Sequence, residues 1–492
     1  MSSPDPLAAY KAAPAPPNET KRWHLYGAGL ENVGKDGKPE TVALPEPGAH
    51  EILVRHDAVG ICYSDIKIVN LGAEHPRLVG RDLLHHPVVM GHEVALTVVQ
   101  AGADVADRFG PGDRFIVQAD VYYHGKNLAY GYALSGGMAQ FGIVGAEVLE
   151  GDEGCYLLPI KDETGYAEAA LVEPWACVEA AYHWTTPHEG FGAGDVAFDD
   201  RPHADEFERR TAGMTKNAVV HLRFDTPLSR PVQVDVGRIH YDGWLFVGSE
   251  TNDRSDLRPG GTTWFIGAAG PMGQMHVARA LQLAQPPAKI VCTDRNDGRL
   301  AALRAHLEPL ARSKNIELVC LNVRDAAPDH AALAPHGYDD IVVMVPSIEA
   351  IEDAFPRLAR NGVLNVFAGV ARGTIATLDM SDIALKNVRI VGTSGSSIDD
   401  MRRTRDLLEA HRLDTSASVA AIGGLEAFRD GLDAVKNGRF PGKTVIFPQI
   451  ENLPLVALPD LGAVRPAVFS RLKDGQFWTH AAEAELLKEA VR

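Results

Sequence analysis

Five polar side chains, grouped in two short stretches, are of the types that bind a metal ion and transfer a proton. Cys62, Ser64 and Asp65 follow a strand-like run, and His92 and Glu93 lie further along the chain. A thiolate, an imidazole and a carboxylate bind zinc, and a second carboxylate can orient the imidazole from behind. Zinc lowers the pKa of an alcohol bound to it, and the Ser64 hydroxyl is placed to receive the proton. The two stretches therefore predict a catalytic metal site.

The two motifs, Cys-x-Ser-Asp and Gly-His-Glu, resemble the metal site of the zinc-dependent medium-chain dehydrogenase/reductase family, which includes alcohol and polyol dehydrogenases. The resemblance implies that Cys62 and His92 bind the zinc. It also implies that Asp65 fixes which ring nitrogen of His92 faces the metal, and that Ser64 relays the proton. Glu93 lies beside these residues and is a further candidate ligand.

The third protein ligand is sought in the helical pattern at 167–184, where Glu173 precedes Pro174. Proline favours the first turn of a helix, so the pattern predicts that Glu173 lies at a helix start. In the polyol dehydrogenases that the chain resembles, a Glu-Pro at this point places the glutamate at or beside the zinc. Two alternatives stay open: Cys177 is the softer ligand, and Glu173 at a helix start also fits a solvated carboxylate. We predict Glu173 as the ligand.

The cysteines limit the number of metal sites. They are odd in number and widely spaced, at positions 62, 155, 177, 292 and 320, which does not fit a disulfide framework. Many members of the family that the chain resembles hold a structural zinc with four closely spaced cysteines. The corresponding region here, residues 115–141, contains no cysteine. The sequence therefore predicts one catalytic zinc and no structural zinc.

A glycine-rich turn predicts a dinucleotide site. The run 262–266 has β character, the turn 267–273 follows, and a second strand-like run, 289–293, leads into Asp294. Backbone N–H groups at a helix start can cradle a pyrophosphate, and an acid after the second strand can bind the adenosine ribose. The candidate cofactor-binding residues are Gly267, Ala268, Gly270, Pro271, Met272, Gly273, Asp294 and Arg295.

The acid after the second strand also bears on which nicotinamide cofactor is used. Asp294 would repel the 2′-phosphate of NADP, whereas Arg295, next in sequence, could pair with it. We predict NAD, with NADP as the less favoured alternative. Ala268 stands where the usual G-x-G-x-x-G motif has its first glycine, with Gly267 just before it.

The order of the strand and helix patterns predicts an α/β protein with two domains. Short strands separated by glycine turns indicate a small β-barrel, and strands that alternate with helices after residue 260 indicate a doubly wound parallel sheet. The resemblance implies a GroES-like zinc domain and a Rossmann cofactor domain. The predicted division is a flexible tail at 1–20, the zinc-binding domain at 21–172 and 413–492 including a C-terminal extension, and the Rossmann domain at 173–412.

The Rossmann domain includes an insertion, residues 185–258, where the sequence departs from the common pattern of the family that it resembles. Its strand-like segments are 218–222 and 244–249, and the second of these loosely resembles 388–393. The insertion is too apolar for a free loop of this length. We predict an ordered element near the domain junction that covers the cleft or forms an oligomer contact. Residues 240–242 could serve a site, although packing or a turn is the simpler interpretation.

Composition narrows the class of protein. The chain has 492 residues with 45% hydrophobic residues, which fits a globular protein of two or three domains. A net charge of −17 argues against nucleic acid or an anionic membrane as a partner. The sequence has no run of about 18 apolar residues and no signal-peptide layout at its start. We expect a cytoplasmic protein that forms a homo-oligomer.

These features predict a zinc-dependent oxidoreductase that transfers a hydride between NAD and a secondary alcohol of a polyol, sugar or sugar phosphate. The Glu-Pro motif and the Gly-Pro-Met-Gly turn look most like the sorbitol, threonine and L-sorbose-1-phosphate group of the family. One alternative is a zinc-free quinone or enone reductase of the same superfamily, against which Cys62, His92 and Glu173 argue. The other is a non-catalytic nucleotide-binding protein, since a fold alone does not establish an activity.

Overall fold

The computed structural model describes residues 6–12, 14–78, 80–182, 194–248, 254–324 and 326–491. The described chain divides into two compact units. One unit runs up to Ala176 and resumes at Ser397, and the other spans Cys177–Ser396. No helix within these described ranges combines the length and the apolar character that a membrane crossing requires.

The first unit is built on a mainly antiparallel sheet. Its strands, in spatial order and within the described ranges, are Val456–Ala457, Val419–Gly424, Lys443–Phe447, Ile52–Ile61, Glu93–Ala101, Arg114–Val117 and Leu157–Pro159, with Phe141–Val144 also paired to Ile52–Ile61. Two hairpins lie outside the sheet and pair Glu19–Arg22 with Glu40–Ala43 and Tyr122–Tyr123 with Lys126–Asn127. The pair formed by Ile52–Ile61 and Glu93–Ala101 matters most for the site, because this pairing places Gly60 opposite Glu93.

The helices of the first unit surround this sheet. They are Pro6–Lys11, Tyr63–Leu71, Ala146–Leu149, Tyr166–Ala170, Val172–Ala180, Ile398–Glu409, Phe428–Asn437, Pro466–Phe469 and His480–Leu487. Val172–Ala180 begins in this unit and ends in the other. Ile398–Glu409 lies in the barrel unit, whereas the sequence placed it in the Rossmann domain. The difference follows from contacts with the barrel: Lys161 N donates to Glu409 Oε1 at 2.8 Å.

The stretch predicted as a flexible tail is ordered over its described part. Tyr10, on the helix Pro6–Lys11, is buried, and its hydroxyl donates to Asp57 Oδ1 at 2.8 Å. The Arg55 guanidinium donates to the Tyr10 carbonyl oxygen at 2.7 Å and lies over the Tyr10 ring at 4.1 Å. One buried tyrosine thus holds part of a stretch whose Ala and Pro content otherwise suggests mobility.

The C-terminal extension is also anchored, through a buried carboxylate. Glu483 accepts hydrogen bonds from the N–H groups of Tyr166 at 2.6 Å and Ala167 at 2.8 Å, where the helix Tyr166–Ala170 begins. These N–H groups have no partner within the helix, so a carboxylate there satisfies them. The extension is therefore part of the barrel unit.

The second unit contains a nine-stranded sheet within its described residues. The spatial order is Val196–Phe198, Val219–Leu222, Leu245–Val247, Arg389–Val391, Leu358–Val366, Tyr338–Val343, Thr262–Ile266, Lys289–Asp294 and Glu317–Asn322. The last six strands in this order are parallel, as in a doubly wound nucleotide-binding sheet. The helices are Ala204–Ala212, Val236–Asp242, Pro271–Gln282, Asp297–Ser313, His330–Leu333, Ile348–Ala354 and Ser381–Leu385.

The described part of the insertion, residues 194–248 and 254–258, extends this sheet. Its three sheet strands are parallel to one another, and Leu245–Val247 pairs antiparallel with Arg389–Val391. A further strand, Val232–Asp235, pairs antiparallel with Ile375–Leu378 outside the main sheet. Phe207, Trp244 and Phe246 of the insertion share one buried core with the rest of the unit. The insertion is therefore ordered over its described residues because it buries apolar side chains against the sheet. Residues 185–193 and 249–253 lie outside the described ranges.

Candidate metal centre and dinucleotide site

Antiparallel pairing of two strands brings the predicted metal ligands together. Cys62 follows the strand Ile52–Ile61 and precedes the helix Tyr63–Leu71, and Glu93 begins the paired strand. One ligand atom from each of Cys62, His92 and Glu93 lies within 4.8 Å of the other two. We call these three residues the metal cluster. Among the residues that the structure describes, it is the one group of three or more such side chains close enough to share an ion.

Asp65 connects the two halves of the metal cluster. Its Oδ2 accepts a hydrogen bond from the Cys62 N–H at 2.9 Å, and its Oδ1 lies 3.5 Å from His92 Nδ1. Because Nδ1 faces this carboxylate, Nε2 is the nitrogen available to a metal. Burial lowers the pKa of His92, but Asp65 more than offsets this effect, so the pKa lies well above its ordinary value. Ser64 Oγ lies 3.6 Å from Cys62 Sγ, at the edge of the cluster.

Lys443 is a residue of this site that the sequence did not reveal. It lies on the strand Lys443–Phe447, and its ammonium donates to Glu93 Oε1 at 2.5 Å and to the Ile61 carbonyl oxygen at 3.1 Å. The Lys443 side chain is 5% exposed and that of Glu93 is fully buried. Burial lowers the pKa of Lys443, but Glu93 and Cys62 raise it to about 12. Glu93 is therefore a carboxylate held by a buried cation.

The second oxygen of Glu93 shows that the cluster suits a metal ion. Glu93 Oε2 is buried and has no hydrogen-bond partner among the described residues. A side chain at Gly60 would collide with this oxygen, so the glycine leaves it room. A buried carboxylate oxygen without a partner is costly unless it is compensated. Together with a thiol and an imidazole, this oxygen completes a donor set that fits zinc.

Glu173 is not one of the three members of the metal cluster, although the charges of His92 and Glu93 act on its pKa. It is the second residue of the helix Val172–Ala180, in agreement with the predicted helix start. Burial raises the pKa of Glu173 to about 7, an effect that His92 opposes and Glu93 reinforces. Cys177, one turn later and half-buried, is not in the cluster either. The choice between Glu173 and Cys177 as the third ligand stays a prediction.

An aromatic and charged lining beside the metal cluster was also missed from the sequence. The Tyr132 ring lies 5.7 Å from the His92 ring and 5.4 Å from the His75 ring. Arg77 Cζ lies 4.9 Å from the Tyr132 ring centre, and the Arg77 guanidinium pairs with Asp120 at 2.6 Å. Arg77 and Tyr132 lie in two loops that approach His92 only in the folded protein, so no local sequence signal marks them.

The glycine turn, residues 267–273, has the geometry of a pyrophosphate cradle. Gly267 follows the strand Thr262–Ile266 with φ +78°, a conformation that favours glycine. The helix Pro271–Gln282 starts directly afterwards, with Gly270 as its N-cap and Pro271 in its first turn. A Cβ on Gly273 would lie 2.5 Å from the Gly267 and Ala268 carbonyl oxygens, so a larger residue would push the helix off the turn. The turn thus offers helix N–H groups to an anion at close range.

Asp294 lies at the end of the neighbouring strand and is fixed against this turn. Its Oδ2 accepts a hydrogen bond from the Ala269 N–H at 3.1 Å, and its Oδ1 accepts from the N–H groups of Arg295 at 2.8 Å and Asn296 at 3.0 Å. The side chain is half-buried, and carboxylate oxygens can accept more than one hydrogen bond. Asp294 is therefore fixed at the end of its strand beside the glycine turn, and its contact with a ribose stays a prediction.

Comparisons with known proteins agree with this architecture. Residues 48–180 match the alcohol dehydrogenase GroES-like domain. The chain is 27% identical to mannitol-1-phosphate 5-dehydrogenase of Aliivibrio fischeri, over 92% of this chain and 95% of that protein. It is 29% identical to L-sorbose 1-phosphate reductase of Klebsiella pneumoniae, over 96% and 98%. The structure of 2R,3R-butanediol dehydrogenase from Bacillus subtilis, 17% identical, superposes with a TM-score of 0.58 over 87% of this chain and 99% of that one.

The first unit contains the match to the GroES-like domain, the second contains the doubly wound sheet, and the two relatives of nearly full length are named as a dehydrogenase and a reductase. The chain is therefore similar to sugar phosphate oxidoreductases over nearly its full length and to alcohol dehydrogenases in its GroES-like domain.

We expect one tightly bound zinc per chain. The metal cluster can hold one ion, and residues 115–141, compared above with the structural zinc site of the family that the chain resembles, contain no cysteine. Elemental analysis of the purified protein measures the ratio directly. The Cys62→Ala variant is the control, and its zinc content should fall to background because the thiolate ligand is lost. Two tightly bound zincs per chain in the unmodified protein would contradict the prediction.

Proposed function

We propose that the protein is a zinc- and NAD-dependent dehydrogenase acting on a secondary alcohol of a polyol, sugar or sugar phosphate. The reaction moves a hydride between the carbinol carbon and the nicotinamide ring. The observation that carries the proposal is the unpartnered Oε2 of Glu93 beside Cys62 and His92, in a chain that also has a nucleotide-type glycine turn. Zinc, when bound, supplies the Lewis acidity that makes an alcohol proton easier to remove.

The residues around the cluster have distinct proposed roles. Asp65 holds His92 in the orientation that leaves Nε2 for the metal. Ser64, beside Cys62, passes the alcohol proton onward. Lys443 fixes one oxygen of Glu93, so that the other stays available. Glu173 is the proposed third ligand, and its raised pKa means that it gives up a proton when it binds the metal.

The surroundings of the cluster favour a phosphorylated substrate within this class. Arg77 stands over Tyr132, which in turn lies against His92, so a guanidinium is two side chains away from a proposed metal ligand. Arginine is suited to phosphate because its N–H groups match phosphate oxygens in pairs. Asp120, paired with Arg77, can accept hydrogen bonds from substrate hydroxyls. The two relatives of nearly full length are named for sugar phosphate substrates, which supports the same choice.

The proposal is tested by a substrate screen. The zinc-loaded protein is mixed with NAD and a panel of polyols, sugars and their monophosphates, and NADH absorbance is followed. The reverse reaction is followed with NADH and the corresponding ketoses. Activity with at least one secondary alcohol, abolished by removal of the metal, is the expected result. Activity that survives complete removal of the metal would favour a zinc-free reductase, and no turnover with any alcohol or ketose would favour a nucleotide-binding role.

We expect NAD to be preferred over NADP on the order of tenfold or more in kcat/KM, which corresponds to about 1.4 kcal/mol. Asp294 is held toward the glycine turn by the Ala269 N–H, where its charge would repel a 2′-phosphate. Replacing Asp294 with asparagine keeps the shape and removes the charge, so this variant should use the two cofactors more equally. Initial rates over a range of both cofactors at saturating substrate measure the ratio. A higher kcat/KM with NADP in the unmodified enzyme would show that attraction of the 2′-phosphate by Arg295 outweighs its repulsion by Asp294.

A further inference from the structure

The insertion covers the carboxyl ends of two strands in the parallel part of the sheet. Its helix Val236–Asp242 packs against the segment that follows the strand Leu358–Val366, where a side chain at Gly237 would collide with the Ala371 carbonyl oxygen. It also packs against the end of the strand Arg389–Val391, since a Cβ on Gly392 would lie 2.6 Å from the Ile239 carbonyl oxygen. Glycine at both positions permits this close approach.

This edge of the sheet is where a dinucleotide binds in a doubly wound fold. Ligands lie outside the carboxyl ends of the strands, at the point where the strand order reverses. That point lies between the strands Thr262–Ile266 and Tyr338–Val343, which are neighbours in the sheet although far apart in sequence. With the adenosine half at Asp294 and the pyrophosphate at the glycine turn, the other half of the dinucleotide points toward the strands Tyr338–Val343 and Leu358–Val366.

A series of contacts follows this path across the edge. Asp294 contacts the Ala269 N–H of the glycine turn. The turn meets the next strand's end at Val345, which a side chain on Gly267 would touch. The segment after Leu358–Val366 joins the same edge, because the Ala368 N–H donates to the Val343 carbonyl oxygen at 2.8 Å. The next residue, Gly369, lies against Tyr241 of the insertion helix, so the path ends at that helix.

Tyr241 of the insertion helix is placed at that end. A Cβ on Gly369 would lie 2.9 Å from the Tyr241 hydroxyl oxygen, so the glycine provides the space in which the hydroxyl lies. The ring is fixed by Arg372, whose Cζ lies 5.0 Å from its centre, and by an edge contact with the His240 ring at 4.6 Å. The side chain is half-buried, and its hydroxyl makes no hydrogen bond to another residue in the described ranges.

We propose that Tyr241 binds the nicotinamide riboside half of the dinucleotide, so that the insertion supplies part of the cofactor site. The tyrosine hydroxyl can donate to or accept from a ribose hydroxyl or the nicotinamide carboxamide. A fixed ring loses little conformational freedom on binding. The inference rests on the NAD dependence in the proposed function, and it assigns a role to a segment that departs from the pattern of the family.

Equilibrium binding to the full-length protein tests this assignment. ADP, ADP-ribose and NADH are titrated by calorimetry into the unmodified protein and into Tyr241→Phe and Tyr241→Ala. We expect Tyr241→Phe to weaken NADH binding by about 2- to 10-fold, as for one lost hydrogen bond, and Tyr241→Ala to weaken it further. ADP should bind all three proteins equally, because it lacks the nicotinamide riboside half. Tyr122→Phe, at an exposed tyrosine of the barrel unit, is the matched control and should bind NADH normally.

The three ligands separate the outcomes. If the Tyr241 variants bind both ADP-ribose and NADH more weakly, the contact lies at the ribose. If they bind only NADH more weakly, the contact lies at the nicotinamide ring. Either result supports the assignment. Unchanged NADH binding by Tyr241→Ala, or an equal loss for ADP and NADH, would overturn it. If the unmodified protein binds neither ADP nor NADH, it is the proposed function that fails, and Tyr241 has no dinucleotide to bind.

Discussion

Replacing Glu173 with alanine is expected to lower zinc affinity or kcat by about 10- to 100-fold or more, the range seen when groups that hold or support a metal are removed. Cys177→Ser should be nearly silent. Glu173 lies at the start of the helix Val172–Ala180, where a side chain can reach outward, and its pKa responds to both His92 and Glu93. With Cys62 as thiolate and His92 neutral, Glu173 as the one permanent carboxylate ligand leaves zinc with no net charge, while Glu93 can approach or withdraw as substrate and water exchange.

The pKa of Glu173 gives this prediction a second, independent readout. Burial raises this pKa to about 7, so in the metal-free protein the carboxyl group is mainly protonated at lower pH. A metal ion must displace that proton, and zinc affinity should therefore rise with pH through about 7. Glu173→Ala should reduce the part of this pH dependence that comes from one proton. Zinc titrations of the metal-free protein at several pH values measure both the affinity and the slope.

The comparison of the two variants decides the ligand. If Cys177→Ser loses its zinc while Glu173→Ala keeps full activity and full zinc content, the assignment is reversed. Circular dichroism of both proteins checks that each is folded, because the helix Val172–Ala180 carries both residues and helix disruption would otherwise mimic ligand loss.

Short-range patterns predicted most elements of the fold correctly. The strand Thr262–Ile266 has the predicted bounds, and the strand Lys289–Asp294 contains the predicted run 289–293. The strand-like run before Cys62 is one long strand, Ile52–Ile61, with a register shift between His56 and Ala58. An irregularity of this kind interrupts the side-chain alternation on which a strand is recognised, although pairing continues through it.

Long-range contacts were the part that the sequence could not supply. Lys443 lies 350 residues after Glu93, and nothing in its neighbourhood marks it as the partner of a buried carboxylate. Tyr132 and Arg77 reach His92 through loops whose path depends on the whole barrel. Metal ligands are recognisable because their chemistry restricts residue type, whereas supporting residues are chosen by position and can be of many types.

The insertion shows both effects. Its stretch at 244–249 was noted for a loose similarity to 388–393, and the structure pairs these two stretches, with Phe246 opposite Ile390. The similarity reflects two neighbouring buried strands, which both require branched and aromatic residues. That they would pair, and pair antiparallel, depends on the arrangement of the parallel sheet, to which the insertion adds three strands.

The buried ion pair between Lys443 and Glu93 leads to the largest expected change in stability. Replacing Lys443 with methionine keeps the volume and removes the charge, which leaves a fully buried carboxylate without its cation. Removing one partner of a buried pair costs about 3 to 5 kcal/mol, so the free energy of unfolding of the metal-free protein should fall by about that amount. Chemical denaturation, followed by tryptophan fluorescence, measures the change.

A matched control exists in the same unit. Lys21 pairs with Glu451 at 2.8 Å, but these side chains are 37% and 58% exposed. Lys21→Met should therefore cost less than about 1 kcal/mol. Equal effects of Lys21→Met and Lys443→Met would show that Lys443 does not compensate a buried charge.

Two further measurements connect the stability of this pair to the metal. The double variant Lys443→Met with Glu93→Gln should regain part of the lost stability, because the remaining buried group is neutral and costs less to bury than a charge. Zinc should also stabilise Lys443→Met more than it stabilises the unmodified protein, since the ion would replace the missing cation beside Glu93. A single variant that zinc stabilises no more than the unmodified protein would mean that Glu93 does not face the metal. Lys443 would then be a partner of Glu93 alone, with no part in presenting its free oxygen to the cluster.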